Sequence, residues 1–216
     1  MHLIKTGLAV LASLFLSGCS SGMKAGFMTL KDEVMPSRSD VRKTALQPDY
    51  RYLLVETDGQ EALMVWIGNE PHRLGQASVW VSSDGVIIRL VNGKLVGVSE
   101  PRRHWQLISE SIVTSPPPGS SITRLTQTSD AQPGYRMGVM RTVDQKVLPA
   151  SEQAMAWVDH SLALRWQEEV DSNTGERTAL YGLNSSNQIT AGHRCMSAQW
   201  CLRWQTWPAK ASDPLL

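Results

Sequence analysis

The sequence predicts a mainly β domain, an antiparallel β-barrel or a two-sheet sandwich with a short N-terminal helix. Three observations carry that reading. Asp58-Gly59, Asp84-Gly85 and Asn92-Gly93 each sit between apolar runs. Such pairs are the strongest short hairpin signals, because a two-residue turn requires both residues to reach φ > 0. Short apolar-rich runs then recur as far as Trp207 with turn residues between them. Finally, SPPPGSS at 115–121 fits no regular element and divides those runs into two halves. Many short strands suit a barrel and a sandwich equally, and the sequence leaves the choice open.

The chain begins with one positive side chain, Lys5, followed by the uncharged run GLAVLASLFL from Gly7 to Leu16. A permanent membrane helix takes about 20 apolar residues, so this run is too short to remain as a span. A basic start, a short apolar segment and small residues before a cut mark a secretory signal. Leu16-Ser17-Gly18-Cys19 resembles the lipobox of bacterial lipoproteins, in which the cysteine thiol is lipidated and becomes the mature N-terminus. Several acyl chains on that cysteine imply stable attachment, since a single chain holds only reversibly. Ser20 stands where an aspartate would be the inner-membrane retention signal, so the expected address is the outer membrane, on its periplasmic face.

Removing residues 1–18 from the 216 leaves 198, which suits one β domain. The expected organisation is a signal at 1–18, a lipidated N-terminus and tether at 19–36, a domain at 37–207 and a tail at 208–216. With 21 basic and 20 acidic residues, the chain has no electrostatic footprint for nucleic acid. Cys195 and Cys201 remain in an oxidising compartment and are expected to form a disulfide. Their spacing is wrong for a C-x-x-C redox motif, and a zinc site needs four ligands where only His193 is near in sequence. No metal and no cofactor are predicted.

Taken in order, SRSDVRKTALQP reads as a short helix, capped by Ser37 or Ser39 and ended by Pro48. The runs 51–57, 61–68, 77–83, 86–92 and 94–99 read as strands joined by the three glycine turns. After 115–121 come strands at 122–128, 135–143, 161–170, 176–183 and 201–207, with Asn173-Thr174-Gly175 as a further hairpin turn. Residues 150–158 are compatible with a second short helix.

Tryptophan is the unusual residue, with eight against two phenylalanines. Strand alternation places Trp200, Leu202 and Trp204 on a core face and Trp207 on the opposite one, with Arg203 and Gln205. Trp207 is therefore the candidate for stacking on sugar rings. EPRRHW at 100–105 is a small basic cluster, either a solvated loop or a contact for an acidic polymer through Arg102 and Arg103. Asp159, His160 and Ser161 are adjacent, so strand geometry prevents them from forming a triad among themselves. No nucleophile elbow, zincin motif, phosphate loop or dinucleotide fingerprint occurs. Glu168 and Glu169 fall on opposite faces of a strand, as solvated residues rather than a catalytic pair. No catalytic residues are assigned.

The stretch PDYRYLLVETDGQEALMVW followed by VWVSSDGVIIRLVNGKLVGVSEP resembles the group 4 capsule polysaccharide lipoproteins, the YjbF and GfcB family. In that family a tyrosine-led hairpin precedes a W-x-S-x-D-G turn and a glycine-bearing strand, and Trp80, Ser82, Asp84, Gly85, Gly93 and Leu95 fit those positions. The second half departs from the pattern, with His160 where the family has proline. The resemblance implies a mostly β lipoprotein that takes part in secretion or assembly of extracellular polysaccharide, with export proteins or the polysaccharide itself as partners. It brings no catalytic residues. The contrasting expectation is an enzyme, a hydrolase or lyase that trims the polymer. An envelope inhibitor or chaperone lipoprotein is a third.

Overall fold

The apolar runs and their turns fall into one antiparallel sheet that closes on itself, which decides for the barrel over the sandwich. The computed structural model describes residues 41–114, 121–149, 155–159 and 162–208. Every described residue lies in the compact unit Pro36–Leu216. The signal, Cys19, the tether, the caps Ser37 and Ser39, His160 and residues 209–216 lie outside the described residues.

Among the described residues, a single 3-10 turn, Val41–Lys43, stands where the short helix is predicted. Twelve strands follow: β1 Tyr52–Thr57, β2 Gln60–His72, β3 Gly75–Val81, β4 Ile87–Val91, β5 Lys94–Ser99, β6 His104–Thr114, β7 Thr123–Gln132, β8 Arg136–Val147, β9 Arg165–Asp171, β10 Arg177–Leu183, β11 Ile189–Ser197 and β12 Trp200–Trp207. Each pairs with the next, and β1 closes the barrel on β12 through Val55↔Trp204 and its neighbours.

The turn chemistry is borne out with one difference. Asp58 and Gly59 (φ 51° and 73°) and Asn92 and Gly93 (φ 50° and 78°) are two-residue turns with both members left-handed. At Asp84-Gly85 only Gly85 takes positive φ, at 86°. There the Gly85 N–H bonds to the Ser82 carbonyl at 3.1 Å and the Ser82 N–H to the Val86 carbonyl at 3.0 Å. This is a type I turn closed by a bulge glycine, the three-residue alternative to the expected geometry. Asn173-Thr174-Gly175 also turns a hairpin, with Gly175 at φ 73°.

Two expectations need correction. SPPPGSS does not separate two halves: β6 and β7 on either side of it pair from His104↔Gln132 to Thr114↔Arg124, inside one continuous sheet. The second short helix is not seen in its described part, where the Val158 N–H bonds to the Met155 carbonyl at 3.2 Å as a turn.

Alternation sends Leu53, Val55, Met64, Ile88, Leu90, Val98, Leu107, Leu202 and Trp204 into the lumen, where they form the main core. Full burial of each aliphatic side chain contributes about 1.5–3 kcal/mol. Trp200, Leu202 and Trp204 are buried together, as strand alternation requires. Gly192 lies directly opposite Trp204 on the neighbouring strand, and a Cβ there would come within 2.2 Å of the indole Cζ2. A second cluster covers the outer face, where Leu148, Val158 and Leu164 from the β8–β9 connection pack on Trp166, Leu180 and Ala191. Elsewhere the outer face carries ion pairs such as Arg203–Glu56 and Arg89–Glu70. A lipid-facing barrel shows the reverse, an apolar band outside and polar groups within.

Candidate functional site

Because every strand is antiparallel to the next, the turns β1–β2, β3–β4, β5–β6, β7–β8, β9–β10 and β11–β12 share one end of the barrel. The described chain enters β1 at the other end. The rim at the turn end is uneven. β9 stops at Asp171, opposite Val143, while β8 continues upward to Arg136. Residues 136–141 of β8 therefore have no ladder partner on that side, and the wall is notched between β8 and β11.

The notch opens the lumen sideways into a small cavity of about 50 Å³ that is continuous with solvent. Its polar lining is Gln127, Ser129, Arg136, Arg141 and Arg194, and its apolar lining includes Trp105, Leu107, Val139 and Met196. No carboxylate lines it.

Beneath the notch is a buried charge cluster built from six strands. Glu169 of β9 is fully buried. Its carboxylate accepts from Lys94 Nζ of β5 at 2.6 Å, Gln127 Nε2 of β7 at 2.9 Å and the Arg194 guanidinium of β11 at 3.3 Å. Arg194 also donates to the Tyr181 hydroxyl and to Gln127 Oε1, both at 2.8 Å. Its guanidinium lies 4.9 Å from the centroid of the Trp105 ring, a cation–π arrangement. Lys94 completes its pairing with Glu110 of β6.

These contacts decide the ionisation of the group. Burial alone would push the Glu169 carboxyl up, but the charges of Lys94 and Arg194 outweigh it and hold the carboxyl below its ordinary range. Burial likewise works against charged Lys94, and its anionic surroundings reverse that, leaving the ammonium above its ordinary value. Burial pushes the Tyr181 phenol up to about 12. At neutral pH Glu169 is therefore held ionised between charged Lys94 and Arg194.

The expectation of a solvated Glu168–Glu169 pair is therefore corrected. The two do point to opposite faces, but both are buried, at 5% and 0% exposure. Glu168 is held on the outside by Arg177 and Lys146, and Glu169 by the lumen cations. Sequence reasoning missed Lys94, Gln127, Arg136, Arg141 and Arg194. The signal available was a charged side chain at an inward-facing position: Arg194 lies opposite Leu202, a core residue.

The predicted binding residues are not brought together. Arg102 is exposed in the β5–β6 turn, at the notched end but outside the cavity lining. Its neighbour Arg103 bonds to Glu100 at 2.7 Å and Asp58 at 3.3 Å, and covers the Trp200 ring at 4.8 Å. Trp207 is half-buried at the other end, with the Arg42 guanidinium 5.8 Å from its ring centroid.

Cys195 and Cys201 face each other across β11 and β12 and are disulfide-bonded. His193 Nε2 lies 3.6 Å from Cys195 Sγ, so the three side chains are grouped. Both sulfurs are committed to each other, which leaves the imidazole as the single metal-ligating group there. Burial, aided by the charges of Arg203 and Arg177, holds His193 below its ordinary value and hence neutral.

The crystal structure of the hypothetical lipoprotein YmcC from Escherichia coli K12 is similar to this chain, with a TM-score of 0.57 and 12% identity over 89% of this chain and 98% of that one. At that identity the likeness carries the fold. No family model and no curated protein matches the chain.

Proposed function

We propose that this chain is a lipoprotein anchored through Cys19 to the periplasmic face of the outer membrane, where it assists secretion or assembly of an extracellular polysaccharide by binding rather than by catalysis. The observation that carries the reading is the notch, an open cavity in the rim of the barrel, lined by arginines and by polar and apolar side chains. The lipobox-like Leu16–Cys19 and the hairpin motif from Tyr52 to Leu95 support the address and the pathway. The likeness in fold to a protein described as a hypothetical lipoprotein is in keeping with the lipid anchor.

The contrasting reading, a hydrolase or lyase, calls for a carboxyl raised toward neutral pH to act as general acid, with a second one facing it. Glu169, beneath the notch, is shifted the other way by Lys94 and Arg194. Deleting the gene is expected to reduce surface polysaccharide. The intact gene should restore it and a Cys19→Ala form should not. Unchanged polysaccharide in the deletion strain would remove the export role, and purified protein that shortens the polymer would replace binding by catalysis.

A further inference from the structure

We infer that the rim notch holds an acidic sugar unit, a carboxylate-bearing residue within a polysaccharide chain, and that Arg136 and Arg141 recognise it. This rests on the polysaccharide reading and names the chemical class that the site selects.

Charge around the notch is unbalanced. Four cations face it or its floor: Arg136, Arg141, Arg194 and Lys94. Three carboxylates answer them, Asp171 to Arg141, Glu169 to Arg194 and Lys94, and Glu110 to Lys94. Arg136 has no partner among the described residues, and it is exposed on the cavity wall. Arg194 is committed to Glu169, Gln127 and Tyr181 beneath. Arg141 has one anionic partner, Asp171 at 3.1 Å, and its side chain is 43% exposed. The unanswered positive charge therefore sits at the mouth, where a ligand can reach it.

A planar guanidinium matches a carboxylate through two parallel hydrogen bonds, which a neutral hydroxyl cannot reproduce. The remaining lining suits the rest of a sugar ring: the Ser129 hydroxyl for a ring hydroxyl, and Val139 and Met196 for the C–H face. The shape favours a unit inside a chain. Since β8 lacks a neighbour on its β9 side from residue 136 to 141, the cavity is open along that side, and a polymer can enter laterally with chain continuing in both directions.

Titration calorimetry on the detergent-solubilised full-length lipoprotein tests this with three probes of similar length: an oligogalacturonate, a maltooligosaccharide and an acidic, apolar peptide. The oligogalacturonate is expected to bind, more weakly as salt rises, and the maltooligosaccharide is not. Arg136→Gln and Arg141→Gln should each weaken binding about tenfold, the loss of one charge-assisted contact, and Arg102→Gln should leave it unchanged. Melting curves of the variants establish that each is folded. Equal binding of the neutral oligosaccharide, no binding of either sugar, or insensitivity to both notch substitutions overturns the inference. Preferential binding of the peptide overturns it in favour of a strand added to the β8 edge. A strain carrying Arg136→Gln and Arg141→Gln that still makes normal polysaccharide, where the deletion strain does not, would sink the notch while leaving the export role intact.

Discussion

Lys94 and Glu169 stand 75 residues apart in sequence and 2.6 Å apart in the barrel lumen, where Glu169 has no exposed surface. Only closure of the sheet brings β5 and β9 face to face across the interior. The pair is therefore a consequence of the fold, and it also constrains it. A buried ion pair contributes little net stability over an apolar substitute, yet removing one partner strands the other.

Lys94→Met should destabilise the barrel by about 3 kcal/mol, the usual cost of leaving a buried charge short of its partner. The measurement is the urea midpoint at pH 7. Arg194 still faces Glu169 in this variant, so the loss stops short of complete unfolding. An unchanged midpoint would mean that the cluster is hydrated and open.

Acid should unfold the protein through the same carboxylate. Folding lowers the Glu169 pKa below its reference of 4.5, so the unfolded chain takes up a proton first as pH falls. The stabilisation is complete above 4.5 and is lost as pH drops through the depressed folded value. Glu168 and Asp144 are shifted the same way and add to the slope. The urea midpoint should therefore fall steeply below pH 4.5, and Glu169→Gln should flatten that fall.

The turns and most strands were legible in the sequence because their signals are local. Asp58-Gly59 and Asn92-Gly93 need only their own backbone to declare a hairpin. Two strands escaped for a physical reason. In β11, ITAGHRCMS, the inward positions are Gly192, which makes room for Trp204, and Arg194, which joins the charge cluster. In β6, Glu110 points inward to Lys94. A polar group or a glycine at an inward position breaks the alternation by which a half-buried strand is recognised. The candidate site is illegible for the same reason: its residues come from β6, β7, β8 and β11, and no single segment carries a motif.

Two glycine substitutions separate backbone strain from steric conflict. Gly85 has φ 86° with open space where a Cβ would point, so Gly85→Ala should cost about 1–2 kcal/mol from backbone alone. Gly192 lies against the Trp204 ring, and Gly192→Ala must displace a fully buried indole. It should cost more, about 3 kcal/mol, as overpacking does. Thermal melts that rank the two in the opposite order would place Trp204 elsewhere.

The disulfide closes a short loop, a sequence separation of 6. Chain entropy assigns such a loop about 2 kcal/mol. Replacing both Cys195 and Cys201 by alanine should lower stability by that amount without changing the far-ultraviolet spectrum, since the flanking strands remain paired. The unreduced, denatured protein should show no free thiol at either position. Two reactive thiols there would contradict the bond.

Stability and function should separate between the floor of the notch and its mouth. Glu169 is fully buried and saturated by cations, so Glu169→Gln should lower the melting temperature while polysaccharide is maintained at permissive temperature. Arg136 is exposed and has no partner among the described residues, so Arg136→Gln should leave melting unchanged and reduce polysaccharide. Both variants, expressed at matched levels in the deletion strain, give the comparison. An enzyme acting through Glu169 predicts the reverse for the first variant, with polysaccharide altered even where the protein is fully folded. A general acid must hold a proton near neutral pH, whereas Glu169 stays ionised because Lys94 and Arg194 lie against it. The double substitution Lys94→Met and Glu169→Met removes that ion pair while leaving Arg136 and Arg141 in place. If it restores a folded barrel, polysaccharide should be normal, which isolates the arginines at the mouth as the functional groups.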